Sequence, residues 1–259
     1  MSREAVIEVR GLRTELGGHV IHNDLNLTVE RGEILAIVGG SGTGKTTLLR
    51  EILMLERPAA GDIRLLHRST RDLDAAAVRE LWTRLGVMFQ HGALFTSLTV
   101  LENVMMPLKE HSRLSASLIR ELAMLKIELA GLPASAAGKY PSELSGGMIK
   151  RAAVARALAL DPELLFVDEP TSGLDPVGAA AFDDLILRLR SLLDLTIVMV
   201  THDVDSLWRA TDRVAFLGEQ RVLATAPVAE LAEMAHPAIQ GYFAGPRMQR
   251  AREQTWKAE

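Results

Sequence analysis

EILAIVGGSGTGKTTLLREIL, residues 33–53, decides how the rest of the chain is read. Glu33–Val38 is a short apolar run and predicts a buried strand. Lys45–Leu55 predicts a helix. Between them Gly39–Thr46 fits the pattern G-x-x-x-x-G-K-[ST], in the strand–turn–helix setting the pattern requires. Glycines let the backbone turn its N–H groups toward phosphate oxygens. The helix N-terminus adds partial positive charge. Gly39, Gly40, Ser41, Gly42, Thr43, Gly44, Lys45, Thr46 and Thr47 are therefore the predicted phosphate cradle. Lys45 would reach the terminal phosphates and the Thr46 hydroxyl would ligate Mg²⁺. An ordinary glycine-rich turn is the competing reading.

Outward from this stretch, Glu163–Val167 (ELLFV) and Thr196–Val200 (TIVMV) are further short apolar runs ending in polar residues. Strands alternating with helical patterns predict an α/β fold with a mainly parallel sheet. Ala5–Arg10 and Asp24–Glu30 alternate apolar with polar residues and predict half-exposed antiparallel strands. His111 to about Leu160 is rich in Ala, Leu, Met and Arg and predicts a helical insertion. Val214–Leu217 and Arg221–Ala224 predict a hairpin, and the charged end, Arg247–Glu259, a tail or a docking helix.

Asp168 ends the ELLFV strand and Glu169 follows it. Ligands of open parallel sheets sit at the carboxyl ends of strands. Asp168 is thus a predicted partner of Thr46 on Mg²⁺, and Glu169 a predicted base for a water attacking the terminal phosphate. A solvated strand end is the alternative for these two acids taken alone.

Composition narrows the class. The 259 residues are 48% hydrophobic and 24% charged, which excludes a disordered chain. Cysteine is absent, so disulfides, thiolate metal sites and cysteine nucleophiles are excluded. With 29 basic against 33 acidic residues, net charge is -4 and no nucleic-acid partner is expected. The N-terminus lacks an apolar core, so no secretory signal is expected. No apolar run is long enough to span a bilayer.

LSGGM at Leu144–Met148 opens a helical run, IKRAAVARALAL. At this point the chain resembles the ATP-binding cassette (ABC) ATPases. The family's elements occur in order: the cradle, Gln90, LSGG at 144–147, LLFVDEP at 164–170, SGLD at 172–175 and His202. The resemblance covers about Val6–Thr225. It implies a P-loop NTPase (RecA-like) core with an antiparallel β subdomain and an inserted α-helical subdomain. The ATPase domain would be 1–225, with its core in 1–90 and 161–225 and the helical subdomain at about 91–160. Residues 226–259 would form a C-terminal helical extension or tail.

The resemblance also implies the site. ATP and Mg²⁺ are the expected nucleotide and metal, with Thr46, Gln90 and Asp168 around the metal. Glu169, His202 and Gln90 are the expected catalytic residues. Ser145, Gly146 and Gly147 would hold the γ-phosphate bound by a second copy, sandwiching two ATP in a head-to-tail homodimer, with Asp175 at the seam. Two departures stand out: Met148 where Gln is commoner, and Leu16 where many relatives stack an aromatic on adenine.

FQHGALFTSLTVLENVMMPLKEH, together with YPSELSGGM, resembles one subgroup, the Mla-type ATPases of MCE-associated phospholipid transport, historically called toluene tolerance proteins. That implies a peripheral protein on the cytoplasmic side of the inner membrane. Its expected partners are an integral permease, a periplasmic MCE-domain protein and a small STAS-domain protein. The apolar residues after Gln90, among them Leu94, Phe95, Met105 and Met106, must in part form core; the resemblance implies that the rest forms a groove for a permease helix, and the competing reading places the whole stretch in the core. Tyr242, Phe243 and Trp256 are candidate anchors for a partner. The alternatives are an ATPase of another importer or a soluble ABC ATPase.

Overall fold

The computed structural model describes residues 4–244. In chain order its elements are β1 (Ala5–Leu16), β2 (His19–Glu30), β3 (Ile34–Gly39), α1 (Lys45–Ile52), β4 (Ala60–Leu65), β5 (Arg68–Ser69), α2 (Ala75–Trp82) and β6 (Leu85–Met88). There follow α3 (Val100–His111), α4 (Ala116–Leu129), α5 (Gly146–Ala157), β7 (Leu164–Asp168), α6 (Pro176–Leu193), β8 (Thr196–Val200), α7 (Val204–Ala210), β9 (Arg213–Gly218), β10 (Arg221–Ala226), α8 (Val228–Glu233) and α9 (Pro237–Phe243). Two single 3₁₀ turns, at Ala134–Ala136 and Pro141–Glu143, precede α5.

The chain divides into two units, residues 1–78 with 198–259, and residues 79–197, so the division falls inside α2 and inside β8. In the first unit, β2-β1-β4-β5 form an antiparallel sheet. The alternating pattern of β1 and β2 predicted this: Val9, Leu12, Leu25 and Leu27 point into the core while polar neighbours stay wet. Both strands run longer than the alternation alone indicated, because Gly17–Gly18 turns them into one hairpin. The same unit carries the strand order β10-β9-β3-β8. Here β3 pairs in parallel with β9, and β9 and β10 form the expected hairpin. All six residues of β3 are buried. A central strand of this kind is continuously apolar because both faces are covered. Each fully buried Leu, Ile or Val contributes about 1.5–3 kcal/mol relative to exposure.

α8 and α9 fold back onto this first unit. Ile239 and Phe243 join Val38, Val214, Phe216 and Leu231 in one apolar cluster. The Tyr242 ring meets Phe216 and Phe243 edge to face, with centroids 5.3 and 5.4 Å apart. Tyr242 and Phe243, candidate partner anchors on sequence grounds, are thus occupied by the chain's own core. Trp256 and the charged end, Arg247–Glu259, lie outside the described residues.

The second unit carries the order β8-β7-β6, with β6 and β7 parallel in the register Leu85↔Leu164 to Met88↔Val167. The expected helical stretch is α3, α4 and α5. Thr99 caps α3 through a reciprocal capping box with Glu102, and Ser115 caps α4. Ile119, Ala123 and Ile127 form the buried face of α4.

Candidate active site

The cradle is shaped from behind. β3 ends at Gly39, whose φ is 150° and where a Cβ would lie 2.4 Å from the Leu217 carbonyl oxygen. Gly42 and Gly44 have φ of 78° and 91°. A Cβ on Gly44 would come within 2.3 Å of His22 Nε2 and 2.6 Å of Ile21 Cγ2. Gly44 is also the N-cap of α1, so no capping side chain competes for the helix's first N–H groups. Lys45 Nζ donates to the carbonyls of Gly39 at 2.9 Å and Gly40 at 2.8 Å. The Thr43 hydroxyl also donates to Gly40, at 2.9 Å. Ser41 and Thr46 are exposed and Thr47 is half-buried. Backbone donors, one ammonium and a glycine-opened helix start make an anion site.

The wall behind Gly44 is polar. Thr14 on β1, His22 on β2 and Glu51 on α1 are all buried. The Thr14 hydroxyl donates to both Glu51 carboxylate oxygens, at 2.9 and 2.8 Å. The same hydroxyl lies 2.9 Å from His22 Nδ1, and His22 Nδ1 is 3.7 Å from the Glu51 carboxylate. His22 Nε2, the atom facing Gly44, is buried without a hydrogen bond. Sequence reading did not single out this triad. Its signal was two polar residues on inward-facing strand positions and an acid on the apolar face of α1.

The first unit also holds His202. It is exposed and follows β8, the neighbour of β3 in the sheet order. The turn beneath it is fixed: Asp203 N–H donates to the buried Thr201 hydroxyl at 3.0 Å, and Asp203 caps α7 by accepting from Asp205 N–H at 3.0 Å.

In the second unit, Asp168 ends β7 and is 7% exposed. Glu169 follows, half-buried, with φ at 48°. That conformation is uncommon for a residue with a Cβ and is retained where surrounding contacts enforce it. The enforcing contacts include bonds from Lys150 Nζ and Ser172 N–H to the Glu169 carbonyl, at 3.0 and 3.3 Å. Gln90 follows the end of β6, with its side chain exposed and its carbonyl accepting from Lys150 Nζ at 2.5 Å. Burial pulls the Lys150 ammonium below the usual lysine range, against the opposing charges of Glu169 and Asp168.

Lys150 lies on α5, the helix that begins at LSGG. Ser145 caps it by accepting from Met148 N–H at 3.4 Å. Gly146 and Gly147 have no positive φ, and a Cβ on them would meet only Leu174 Cδ2, at 4.0 and 3.9 Å. Ser145 and Gly146 are exposed. Farther along α5, Arg156 donates to the carbonyls of Ala93 at 2.6 Å and Gly92 at 3.0 Å, holding the segment after Gln90. Asn103, fully buried, completes the grip. It accepts from Phe95 N–H at 2.8 Å and donates to the Phe95, Leu98 and Thr99 carbonyls. Val100, Leu101 and Val104 of this apolar stretch are core, while Phe95 is 49% exposed on a loop fixed from beneath. Asp175 caps α6 by accepting from Gly178 N–H at 2.7 Å.

Within the second unit, Gln90, Glu169 and the LSGG helix are tied together through Lys150. Within the first, the cradle glycines, Lys45 and the His22 triad form one block. Leu16, the adenine-side candidate, is 44% exposed at the end of β1. The Thr46 hydroxyl and the Asp168 carboxylate are hard oxygen donors, the kind Mg²⁺ takes.

The family described as ABC transporter matches residues 22–172. The chain is 43% identical over 219 residues to the intermembrane phospholipid transport system ATP-binding protein MlaF of Haemophilus influenzae, covering 85% of this chain and 83% of that one. It is 37% identical over 248 residues to the probable ribonucleotide transport ATP-binding protein mkl of Mycobacterium leprae, covering 96% and 71%. Among solved structures, the dimeric post-hydrolysis state of the ATP-binding cassette MJ0796 bound to ADP and Pi superposes with a TM-score of 0.78 at 30% identity, covering 86% and 98%.

Proposed function

The chain belongs to the ABC transporter ATPase family and hydrolyses ATP, and on that premise we propose that it energises phospholipid transport between two membranes. The 43% identity to an intermembrane phospholipid transport ATPase carries this reading. The FQHGALF and YPSELSGGM segments support it.

In this reading two copies close head to tail around two ATP. Backbone N–H groups of Gly40–Thr47 and the Lys45 ammonium hold the phosphates. Thr46, Asp168 and Gln90 would hold Mg²⁺, which when bound neutralises phosphate charge. Glu169 takes the proton of the attacking water and His202 hydrogen-bonds the terminal phosphate. Ser145–Gly147 of the second copy bring backbone donors to that phosphate. Positioning and charge stabilisation account for most of the catalysis, as in phosphoryl transfer generally.

Among the described residues no helix is long and apolar enough to cross a membrane. In this reading translocation falls to other chains: an integral permease, with an MCE-domain protein beyond it and a small STAS-domain protein alongside. The ATPase sits on the cytoplasmic face. The exposed Phe95 and half-buried Leu94, on a loop held by Asn103 and Arg156, are the proposed permease contact. Charged substitution at Phe95 should abolish lipid transport by the reconstituted complex while basal ATPase stays within about 2-fold. Undiminished transport by a folded Phe95→Glu complex removes this contact from the proposal.

The similarity to the M. leprae relative favours a second reading, transport of a nucleotide-like solute. Mass spectrometry of molecules carried by the purified membrane complex separates the two. Enriched phospholipid sustains the first, and enriched ribonucleotide other than the hydrolysed ATP replaces it with the second.

A further inference from the structure

β6 and β7 run parallel, with Met88 opposite Val167. The turns that follow them, carrying Gln90 and Glu169, therefore leave from the same end of the two strands. Both are backbone turns with little regular structure of their own. The Glu169 carbonyl belongs to a residue in the left-handed region, the least self-sustaining point of the pair. One side chain reaches both. Lys150 Nζ donates to the Gln90 carbonyl at 2.5 Å and to the Glu169 carbonyl at 3.0 Å. The side chain is buried, so water does not readily replace it. It grows from α5, little more than a turn beyond the Ser145 cap.

We propose that Lys150 is a positioning residue for hydrolysis, coupling the LSGG helix of a copy to the Gln90 and Glu169 turns of the same copy. Seating Ser145–Gly147 on the neighbouring copy's triphosphate then fixes α5, and α5 fixes the two catalytic turns through one ammonium group. An ammonium suits this task because it offers three rotatable donors and no acceptor, and both partners are carbonyls. The charges of Glu169 and Asp168 favour its protonated form against burial. The proposal rests on Glu169 acting as the base, so its test carries a control for that role.

The test uses the full chain and compares Lys150→Met, Lys150→Arg and Glu169→Gln with the parent. Steady-state ATPase, ATP binding and ATP-driven dimerisation by light scattering are measured for each. Lys150→Met should lower kcat by roughly 10-fold or more, with ATP affinity and dimerisation within about 2-fold of the parent. Lys150→Arg, which keeps charge and donors, should recover at least part of kcat. A Lys150→Met protein with parental kcat overturns the proposal. So does one whose binding and dimerisation collapse together with kcat, because that marks a purely structural residue. If Glu169→Gln retains turnover, the base assignment is what has failed. If it loses turnover while Lys150→Met does not, the coupling role alone has failed.

Discussion

Gly39–Thr46 and Ser145–Gly147 are both glycine-rich starts of helices, yet their glycines answer different needs. In the first, the chain's own packing demands glycine. A Cβ at Gly39 would strike the Leu217 carbonyl, one at Gly44 would strike His22, and both residues have positive φ. In the second, nothing within the chain demands it. Gly146 and Gly147 lack positive φ, and added Cβ atoms would make only ordinary contact with Leu174. The chain's own packing leaves both positions open to alanine, which would favour the helix, and the proposed function uses that openness for close approach of phosphate. The cradle is thus a shape built in advance, and the LSGG turn, in the proposed reading, is the surface a second copy meets.

The most severe way to probe this contrast is Glu169→Gln, with turnover falling by ~10²–10⁴-fold, the usual contribution of a general base. ATP should still bind and hold two copies closed. Hydrogen exchange should then slow at residues 145–150 only where dimer forms, whereas slowing at 39–48 needs nucleotide alone. Protection of both turns in dilute, unpaired protein breaks the comparison.

Gly147→Ala comes next. It should leave Tm unchanged or raise it slightly, yet cut ATPase by about 10-fold or more, since one added methyl blocks close approach to phosphate. Parental activity in this variant would return Gly147 to mere helix-start chemistry. Gly39→Ala should do the reverse, destabilising the isolated chain by about 1–3 kcal/mol through clash and backbone strain. Thermal unfolding without nucleotide reads this directly as a Tm lower by several degrees. The smallest expected change concerns the base. Leu16 offers apolar packing without a ring, so GTP should be turned over within about 3-fold of ATP. Strict ATP preference would mean that other residues read the adenine.

Much of this was legible beforehand because it is local. The phosphate-cradle stretch carries its strand, turn and helix within 33–53, and the alternating β1 and β2 announce one wet face. Element ends were less legible. The β1–β2 hairpin extends through Gly17–Gly18 because two strands sustain each other beyond their own apolar patterns. Residues 228–243 read as an extension, yet their aromatics complete a core whose other half lies in β3 and β9, a long-range fact that periodicity cannot supply. Lys150 was invisible for a related reason. A lysine in a helix is ordinarily solvated, and only the meeting of α5 with the turns after β6 and β7 gives it two carbonyls to hold. Asn103 was hidden in the same way, as a polar residue in an apolar helix face whose partners lie on the preceding loop.

The buried Thr14, His22 and Glu51 carry an evolutionary corollary. Each is sealed from water, and Thr14 joins the other two. Replacing Thr14 alone by an aliphatic residue removes the hydroxyl between acid and imidazole and leaves them only their own 3.7 Å contact in a dry interior, at about 1–3 kcal/mol. Exchanging all three for hydrocarbon side chains of similar volume avoids that loss. Lineages should therefore hold either the whole polar trio or none of it, and the mutational path between the two states should run through few viable intermediates.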